Sequence, residues 1–95
     1  MNEEQIYNLI AKDSEEGLYQ LIKLYKNYVW NIINKILQGR QQDIEECISD
    51  VFFTFWQKRH SINLESGNVK GLLACIARNT AINRYNKLKR QQCIT

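Results

Sequence analysis

Asparagine, lysine and arginine side chains recur along the C-terminal segment at helical spacing. At about 100° per residue, one polar face collects Asn79, Asn83, Asn86, Lys87 and Arg90. Asparagine amides donate and accept hydrogen bonds, so they can pair with base edges, whereas lysine and arginine hold phosphates. Because asparagine is a mediocre helix former, three of them on one exposed face favour a functional use. The face predicts contact with nucleic acid.

The charges of the chain are divided between its two ends. Residues 1 to 65 contain all ten acids and seven Lys/Arg residues, a net charge of −3, whereas residues 66 to 95 contain six Lys/Arg residues and no acid, a net charge of +6. A basic end is expected of a protein that meets a polyanion there. The alternative is a solvated basic helix end, because cations also stabilise a helix C-terminus. Both interpretations fit the composition.

A second face combines acidic side chains with an aromatic residue. Asp43, Glu46, Asp50 and Phe53 share one side of a predicted helix, away from its apolar stripe. A purely solvated face more naturally carries Lys/Glu pairs, so this pattern is compatible with docking to a basic partner protein, although single exposed apolar residues are common. The alternative is that the acids stabilise the helix N-terminus, which explains Asp43 and Glu46 but not Asp50 or Phe53.

The sequence contains little material for catalysis or metal binding. Cys47, Cys75 and Cys93 are far apart and form no CxxC pair, and His60 is the only histidine. Zinc sites need clustered ligands, and active sites need several convergent titratable groups. No Gly-rich phosphate loop is present. We expect reduced thiols, no metal, no cofactor and no enzymatic activity.

Four helices are predicted to position these faces. Apolar residues recur every three or four positions, and no segment alternates with the period of a half-buried strand. The sequence therefore predicts an all-α fold, a compact bundle of about four helices without a sheet. These helices are predicted to cover residues 3–12, 15–38, 43–60 and 69–92. Asp43 is predicted to cap the third helix in a capping box with Glu46, and residues 63–68 are predicted to form a turn-rich loop.

Apolar stripes predict the interior of the bundle. The stripe of the third helix consists of Ile44, Ile48, Val51, Phe52 and Phe55, and that of the fourth of Val69, Leu73, Ile76, Ala77, Ala81 and Leu88. Helical spacing also assigns most aromatic residues to the core, namely Tyr25, Tyr28, Trp30, Phe52, Phe55 and Trp56. Cys47 and Cys75 are expected to be small buried residues.

The composition is that of one cytosolic domain. Ninety-five residues with 44% hydrophobic content suffice for a single core. No stretch approaches the roughly 18 unbroken apolar residues of a membrane helix. The first ten residues carry acids where a signal peptide carries positive charge, so we expect a cytoplasmic protein.

Two segments carry a recognisable pattern. Residues 43–56 read DIEECISDVFFTFW, acidic and apolar residues that lead to a phenylalanine-rich run and a tryptophan. Residues 71–90 read GLLACIARNTAINRYNKLKR, an Ile-Ala-Arg-Asn core before a basic helix end. They resemble region 2.2 and regions 2.3 and 2.4 of extracytoplasmic-function (ECF) sigma factors of the sigma-70 family. The first two helices resemble region 2.1, so the resemblance covers nearly the whole chain.

The resemblance implies two main partners. Region 2.2 of the family docks on the clamp helices of the β′ subunit of the RNA polymerase core, and regions 2.3 and 2.4 recognise and melt the minus-ten promoter element. Carried over, the polymerase-binding residues are Asp43, Glu46, Ser49, Asp50 and Phe53. The DNA-binding residues, beside a loop at residues 62–68, are Asn68, Lys70, Arg78, Asn79, Asn83, Arg84, Asn86, Lys87 and Arg90. We expect two surfaces of opposite charge, the negative one for a protein and the positive one for an opened DNA strand. A further expected partner is an anti-sigma factor.

The sequence departs from the family pattern at four positions. Ser49 stands where the family usually has glutamine, Leu72 where it has tryptophan, and Asn83 and Asn86 where it has aspartate and arginine. Loss of a tryptophan removes an aromatic platform, and loss of an arginine removes a phosphate contact. Promoter preference is therefore more affected than polymerase docking.

The expected domain is sigma region 2, from 2.1 to 2.4, at residues 1–92, with residues 93–95 as a tail or the start of a linker. The helix-turn-helix domain of the family, region 4, has no counterpart here, and we favour an excised domain over a truncated relative. Two other classes share some features. A small helical DNA-binding regulator that acts without polymerase needs the basic helix but not the acidic face, and a protein–protein adaptor would bind DNA with little dependence on salt.

Overall fold

Helices account for nearly all of the backbone. The computed structural model describes residues 1–94, and the side chains of these except at residues 66 and 92–94. The elements are α1 (Glu3–Ala11), α2 (Glu15–Leu37), α3 (Gln41–Gln57), a 3₁₀ turn (Arg59–Ser61) and α4 (Ser66–Ile94). Residues 1–94 contain no strand, which confirms the all-α prediction. The fourth helix continues past residue 92 to Ile94, and Thr95 of the expected tail lies outside the described residues.

Local hydrogen bonds fix the start of α1, and a left-handed residue forms the connection from α1 to α2. In a capping box at the start of α1, the backbone amide of Gln5 donates to Asn2 Oδ1 at 2.8 Å, and the backbone amide of Asn2 donates to Gln5 Oε1 at 3.0 Å. After Ala11 the chain turns through Asp13, whose φ of 61° is left-handed, and α2 begins after Ser14. The turn therefore places Asp13, with its backbone fixed, at one end of the bundle.

The connection between α2 and α3 uses two left-handed residues. Gln38 has φ 47° and Gly39 has φ 78°, and the Gly39 amide donates to Asn34 Oδ1 at 3.0 Å. A glycine adopts this conformation at no steric cost, so α2 can end abruptly and α3 can pack against it.

The predicted start of α3 was wrong. The helix begins at Gln41, with Arg40 at the cap position, and Asp43 lies in its first turn without forming the predicted capping box with Glu46. Both carboxylates instead bind Arg84 of α4. The sequence pattern of a capping box was present, but a cation from a distant helix occupies its acids.

The segment between α3 and α4 lies three residues earlier in the chain than predicted. The third helix ends at Gln57 and the 3₁₀ turn follows it, whereas α4 already begins at Ser66. The Val69 amide donates to the Glu65 carbonyl at 2.9 Å, a helical bond that includes Asn68 in the first turn of α4. The irregular loop consists of residues 62–65.

The core is built around α2, which contacts all three other helices. Its innermost residues recur every four positions and are Leu21, Tyr25, Val29, Ile33 and Leu37. The predicted stripe of α3 is fully confirmed, and that of α4 is buried from Val69 to Ala81 and partly buried at Leu88. No helix within the described part of the chain has the combined length and apolarity needed to cross a bilayer.

Two predictions of burial were wrong. Trp30 is 38% exposed, because it lies one residue beyond Val29 and therefore about 100° around the helix from the buried row. Cys75 is exposed, whereas Cys47 is buried as predicted. The remaining aromatic residues predicted in the core are buried or partly buried.

Gly17 marks the closest approach of α1 and α2. A Cβ atom added there would lie 2.8 Å from the backbone nitrogen of Ile10 and 2.8 Å from the Cβ of Leu9. No side chain fits this space, so the two helices touch through their backbones.

We expect Gly17→Ala to lower the free energy of unfolding by about 1–3 kcal/mol, because α1 must shift to admit the methyl group. Gly71→Ala is the matched control, since Gly71 lies within α4 with no atom within 4 Å of its Cβ position. This control should raise the free energy of unfolding by about 0.5–1 kcal/mol through helix propensity alone. Urea unfolding followed by circular dichroism measures both, and equal effects at the two positions would contradict the backbone contact.

Candidate functional site

Arg84 of α4 connects the predicted basic face to the predicted acidic face. Its Nη1 donates to Asp43 Oδ1 at 2.7 Å and to Glu46 Oε2 at 2.8 Å. The two acids are three residues apart on α3 and therefore lie on the same side of that helix, within reach of one guanidinium group. These hydrogen bonds raise the pKa of Arg84 above its ordinary value. The bond to Glu46 is the largest cause and the bond to Asp43 the second.

This ion pair reduces the free negative charge on the acidic face. The side chains of Arg84 and Asp43 are only 20% and 26% exposed, so much of their charge is neutralised inside the α3–α4 interface. Asp50 is exposed and forms no ion pair with any side chain that the structure describes. Ser49 is also exposed, and Phe53 is 61% exposed. The free part of the acidic face is thus centred on Asp50 and Phe53.

A groove of about 380 Å³ runs between α3 and α4. Its walls come from both helices and consist of Cys47, Asp50, Phe53, Thr54, Thr80, Asn83, Arg84 and Lys87. Burial raises the pKa of the Cys47 thiol, which keeps this part of the wall uncharged. Helical wheels assigned the acidic and the basic residues to two separate faces and did not predict that the faces meet here. Residues assigned to two different partners face each other across one groove, because α3 and α4 pack side by side.

The polar face of α4 is arranged as the helical wheel predicts. The five exposed side chains on it are Asn79, Asn83, Asn86, Lys87 and Arg90. Asn79 forms only a weak contact with its neighbour Cys75, at 3.9 Å from Nδ2 to Sγ. The groups that could contact bases are therefore accessible.

Other predicted DNA-binding residues lie elsewhere on α4. Asn68 and Lys70 are in its first two turns, about 20 Å along the axis from Asn83. The Nζ of Lys70 lies 4.9 Å above the ring of Tyr28, a cation–π contact that attaches the start of α4 to α2. Arg78 is exposed. The predicted set is thus spread along and around α4 and is not a single cluster.

Comparison with known protein families decides the identity. The family model of sigma-70 region 2 matches residues 21–91, which is 71 of the 95 residues. This chain belongs to the sigma-70 region 2 family. The match confirms the sigma-70 region 2 resemblance seen in the sequence. Comparisons with curated proteins and with solved structures gave no significant match.

Sigma-70 region 2 is a sigma-factor region that takes part in polymerase binding and promoter recognition, so RNA polymerase core and promoter DNA are its partners. The family is one of transcription factors and is not a known enzyme family. In this sigma region 2 domain the match includes α3, the polar face of α4 and most of α2. The first helix and the turn at Asp13 precede the matched segment.

The sigma region 2 domain also has an apolar groove that the sequence interpretation missed. It lies between α2 and α3, has a volume of about 650 Å³ and is lined by Leu18, Ile22, Lys26, Trp30, Glu45, Ile48, Ser49, Phe52 and Phe53. Trp30 was assigned to the core, although its offset from the row through Val29 places it at the edge of that row. Phe53 lines this groove as well as the groove between α3 and α4.

The Arg84 ion pair generates a stability prediction for the sigma region 2 domain. We expect Arg84→Met, which keeps most of the volume, to lower the free energy of unfolding by about 1 kcal/mol at low salt, a value limited by the half-exposed Glu46. Arg84→Lys keeps the charge but lacks the planar fork, so it should restore only part of the loss.

A double-mutant cycle of Arg84→Met with Glu46→Gln measures the pair itself and should give a coupling of about 0.5–1 kcal/mol. Added salt should reduce this coupling, because both partners are partly solvated. A wild-type protein no more stable than Arg84→Met at low salt would contradict a stabilising role for the ion pair.

Proposed function

We propose that this domain belongs to an ECF-type sigma factor, that it docks on the β′ clamp helices of RNA polymerase through α3, and that it captures and melts the minus-ten promoter element with α4. The observation that carries the proposal is the groove between α3 and α4. It has the exposed Asp50 and Phe53 on one side and the exposed Asn83 and Lys87 on the other. A protein partner and an opened DNA strand can therefore bind side by side.

Docking of polymerase would centre on Phe53. A large apolar side chain that is 61% exposed and lies between two grooves is well placed to be buried by a partner helix. Asp50 and Ser49 flank it, and the free carboxylate of Asp50 favours a basic partner surface. Glu46 can contribute where the partner competes with Arg84 for its carboxylate.

Capture of DNA would rely on the polar face of α4 and the loop at residues 62–65. Melting requires that an unstacked base be held, and amide side chains can pair with its edge while cations hold the backbone. On this face Asn79, Asn83 and Lys87 are exposed, and none of them forms an ion pair with a side chain that the structure describes. Binding of the non-template strand offsets unpairing, which costs a few kcal/mol for each flipped base. No covalent step is needed, so no catalytic residue is assigned.

Arg84 is assigned a structural role, whereas the other cations of α4 are proposed to contact DNA directly. Its guanidinium is held by Asp43 and Glu46, and a direct phosphate contact requires release from both carboxylates. While the ion pair is intact, Arg84 fixes α4 against α3 and thereby orients Asn83 and Lys87 toward the groove. The domain would act in the cytoplasm, where polymerase and promoters are, and an anti-sigma factor that covers Phe53 would block docking.

The docking half of the proposal predicts that Phe53→Ala weakens binding to a purified β′ clamp-helix fragment about thirtyfold or more, as expected for a central apolar contact. Asp50→Lys should also weaken binding, and it avoids the Arg84 ion pair that a change at Glu46 would break. The control is Glu4→Lys, the same change of charge at an exposed position of α1. Biolayer interferometry measures all three variants. If neither α3 variant weakens binding, docking does not use this face. If the wild-type domain does not bind the fragment but does bind DNA, it is instead a regulator that acts without polymerase.

The DNA half predicts separate effects of two residues on α4. With single-stranded oligonucleotides, Lys87→Ala should reduce the slope of log affinity against log salt by about 0.7, the value for one phosphate contact. Asn83→Ala should leave the slope unchanged but reduce discrimination between oligonucleotides that differ at one base, by about 1 kcal/mol. Fluorescence anisotropy measures both, and Lys23→Ala on α2 is the control for loss of one exposed lysine. Affinity that is independent of salt would favour a protein adaptor.

A further inference from the structure

Asp13 joins the turn between α1 and α2 to the 3₁₀ turn that follows α3. Its Oδ1 accepts a hydrogen bond from Arg59 Nε at 2.8 Å and lies 2.8 Å from His60 Nε2. The hydrogen bond from Arg59 is the main cause that lowers the pKa of the Asp13 carboxyl, which is therefore ionised at neutral pH. The backbone of Asp13 is left-handed, with φ 61°, a conformation that aspartate tolerates better than most residues.

Arg59 is held on three sides. In addition to Asp13, its Nη1 donates to the carbonyl of Trp56 at 2.6 Å, and its guanidinium carbon lies 4.0 Å from the centre of the Trp56 ring. Its side chain is only 19% exposed. A planar guanidinium that is stacked and hydrogen-bonded in two directions has a fixed orientation. The 3₁₀ turn is thus attached both to the end of α3 and to the N-terminal helical hairpin.

The loop at residues 62–65 begins directly after this attachment. Ile62 and Leu64 pack partly buried against the core, whereas Asn63 and Glu65 are exposed. The first helical turn of α4 fixes the other end of the loop. The loop therefore lies between the first turn of α4 at one end and the contact between Asp13 and Arg59 at the other.

This contact crosses the boundary of the segment that matches the family. Arg59 and the loop lie within residues 21–91, which match sigma-70 region 2, whereas Asp13 lies before them. Asp13 thus contributes a contact to the 3₁₀ turn from outside the matched segment.

We propose that Asp13 is a positioning residue for capture of the opened DNA strand. It holds Arg59, and through Arg59 the loop at residues 62–65, in the conformation that receives an unstacked base. The inference rests on the proposed function, in which this loop meets DNA. A loop that is ordered before binding loses less conformational entropy on binding, so the restraint increases affinity without a direct contact.

The test uses Asp13→Gly, because glycine keeps the left-handed backbone and removes only the side chain. We expect amide hydrogen exchange at residues 59–65 to accelerate about tenfold and affinity for a single-stranded oligonucleotide to fall about threefold to tenfold. Binding of the β′ clamp-helix fragment should stay unchanged. Asp13→Asn keeps an acceptor oxygen but loses the charge, and should restore part of the affinity. Glu15→Ala, an exposed acid in the first turn of α2, is the matched control and should change neither exchange nor affinity.

A second variant tests whether the effect passes through Arg59. Arg59→Lys removes the fork and the stacking on Trp56, and should reproduce the loss seen in Asp13→Gly. Combining the two changes should cause little further loss, since both break the same connection.

Three results would overturn the inference, and they are distinguishable. Unchanged hydrogen exchange in Asp13→Gly means that the contact does not fix the loop. Faster exchange with unchanged oligonucleotide affinity means that loop order does not matter for binding, while the proposed function stands. If Asn83→Ala and Lys87→Ala also leave oligonucleotide affinity unchanged, the proposed function itself fails and the role of Asp13 fails with it.

Discussion

The burial of one row of α2 side chains is the constraint on which the domain depends. This row runs from Leu21 through Val29 to Leu37, and each of the other three helices packs on α2. Because α3 and α4 share this support, they lie side by side and leave a groove between them. The positions of the polar groups on the surface thus follow from an apolar contact on the opposite sides of their helices.

The apolar pattern was sufficient to predict the fold but not the partners of charged side chains. The stripes on α3 and α4 were predicted because burial repeats with the helical period, and local sequence carries that signal. The pairing of Asp43 and Glu46 with Arg84 was not, since it joins residues about forty positions apart. His60, the only histidine, has its partner 47 positions away at Asp13. Such contacts depend on how helices are arranged, which helical periodicity alone does not specify.

The site could be predicted residue by residue but not as one arrangement. Helical wheels placed Asp50 and Phe53 on one exposed face and Asn83 and Lys87 on another, and all four are exposed. A wheel describes one helix at a time, so it could not indicate that these faces meet across a groove. It also could not locate Trp30 in the groove between α2 and α3, because residues at the edge of a stripe are buried or exposed according to the neighbouring helix.

The sharing of one guanidinium by two carboxylates has an evolutionary consequence. A change at position 43, 46 or 84 alters the charge balance for the other two, so we expect the effects of substitutions at these positions to be coupled. A lineage that replaces Arg84 leaves two acids unneutralised and gains from losing one of them. A substitution in α4 would in this way change which substitutions α3 tolerates, and we expect the two helices to diversify as a pair.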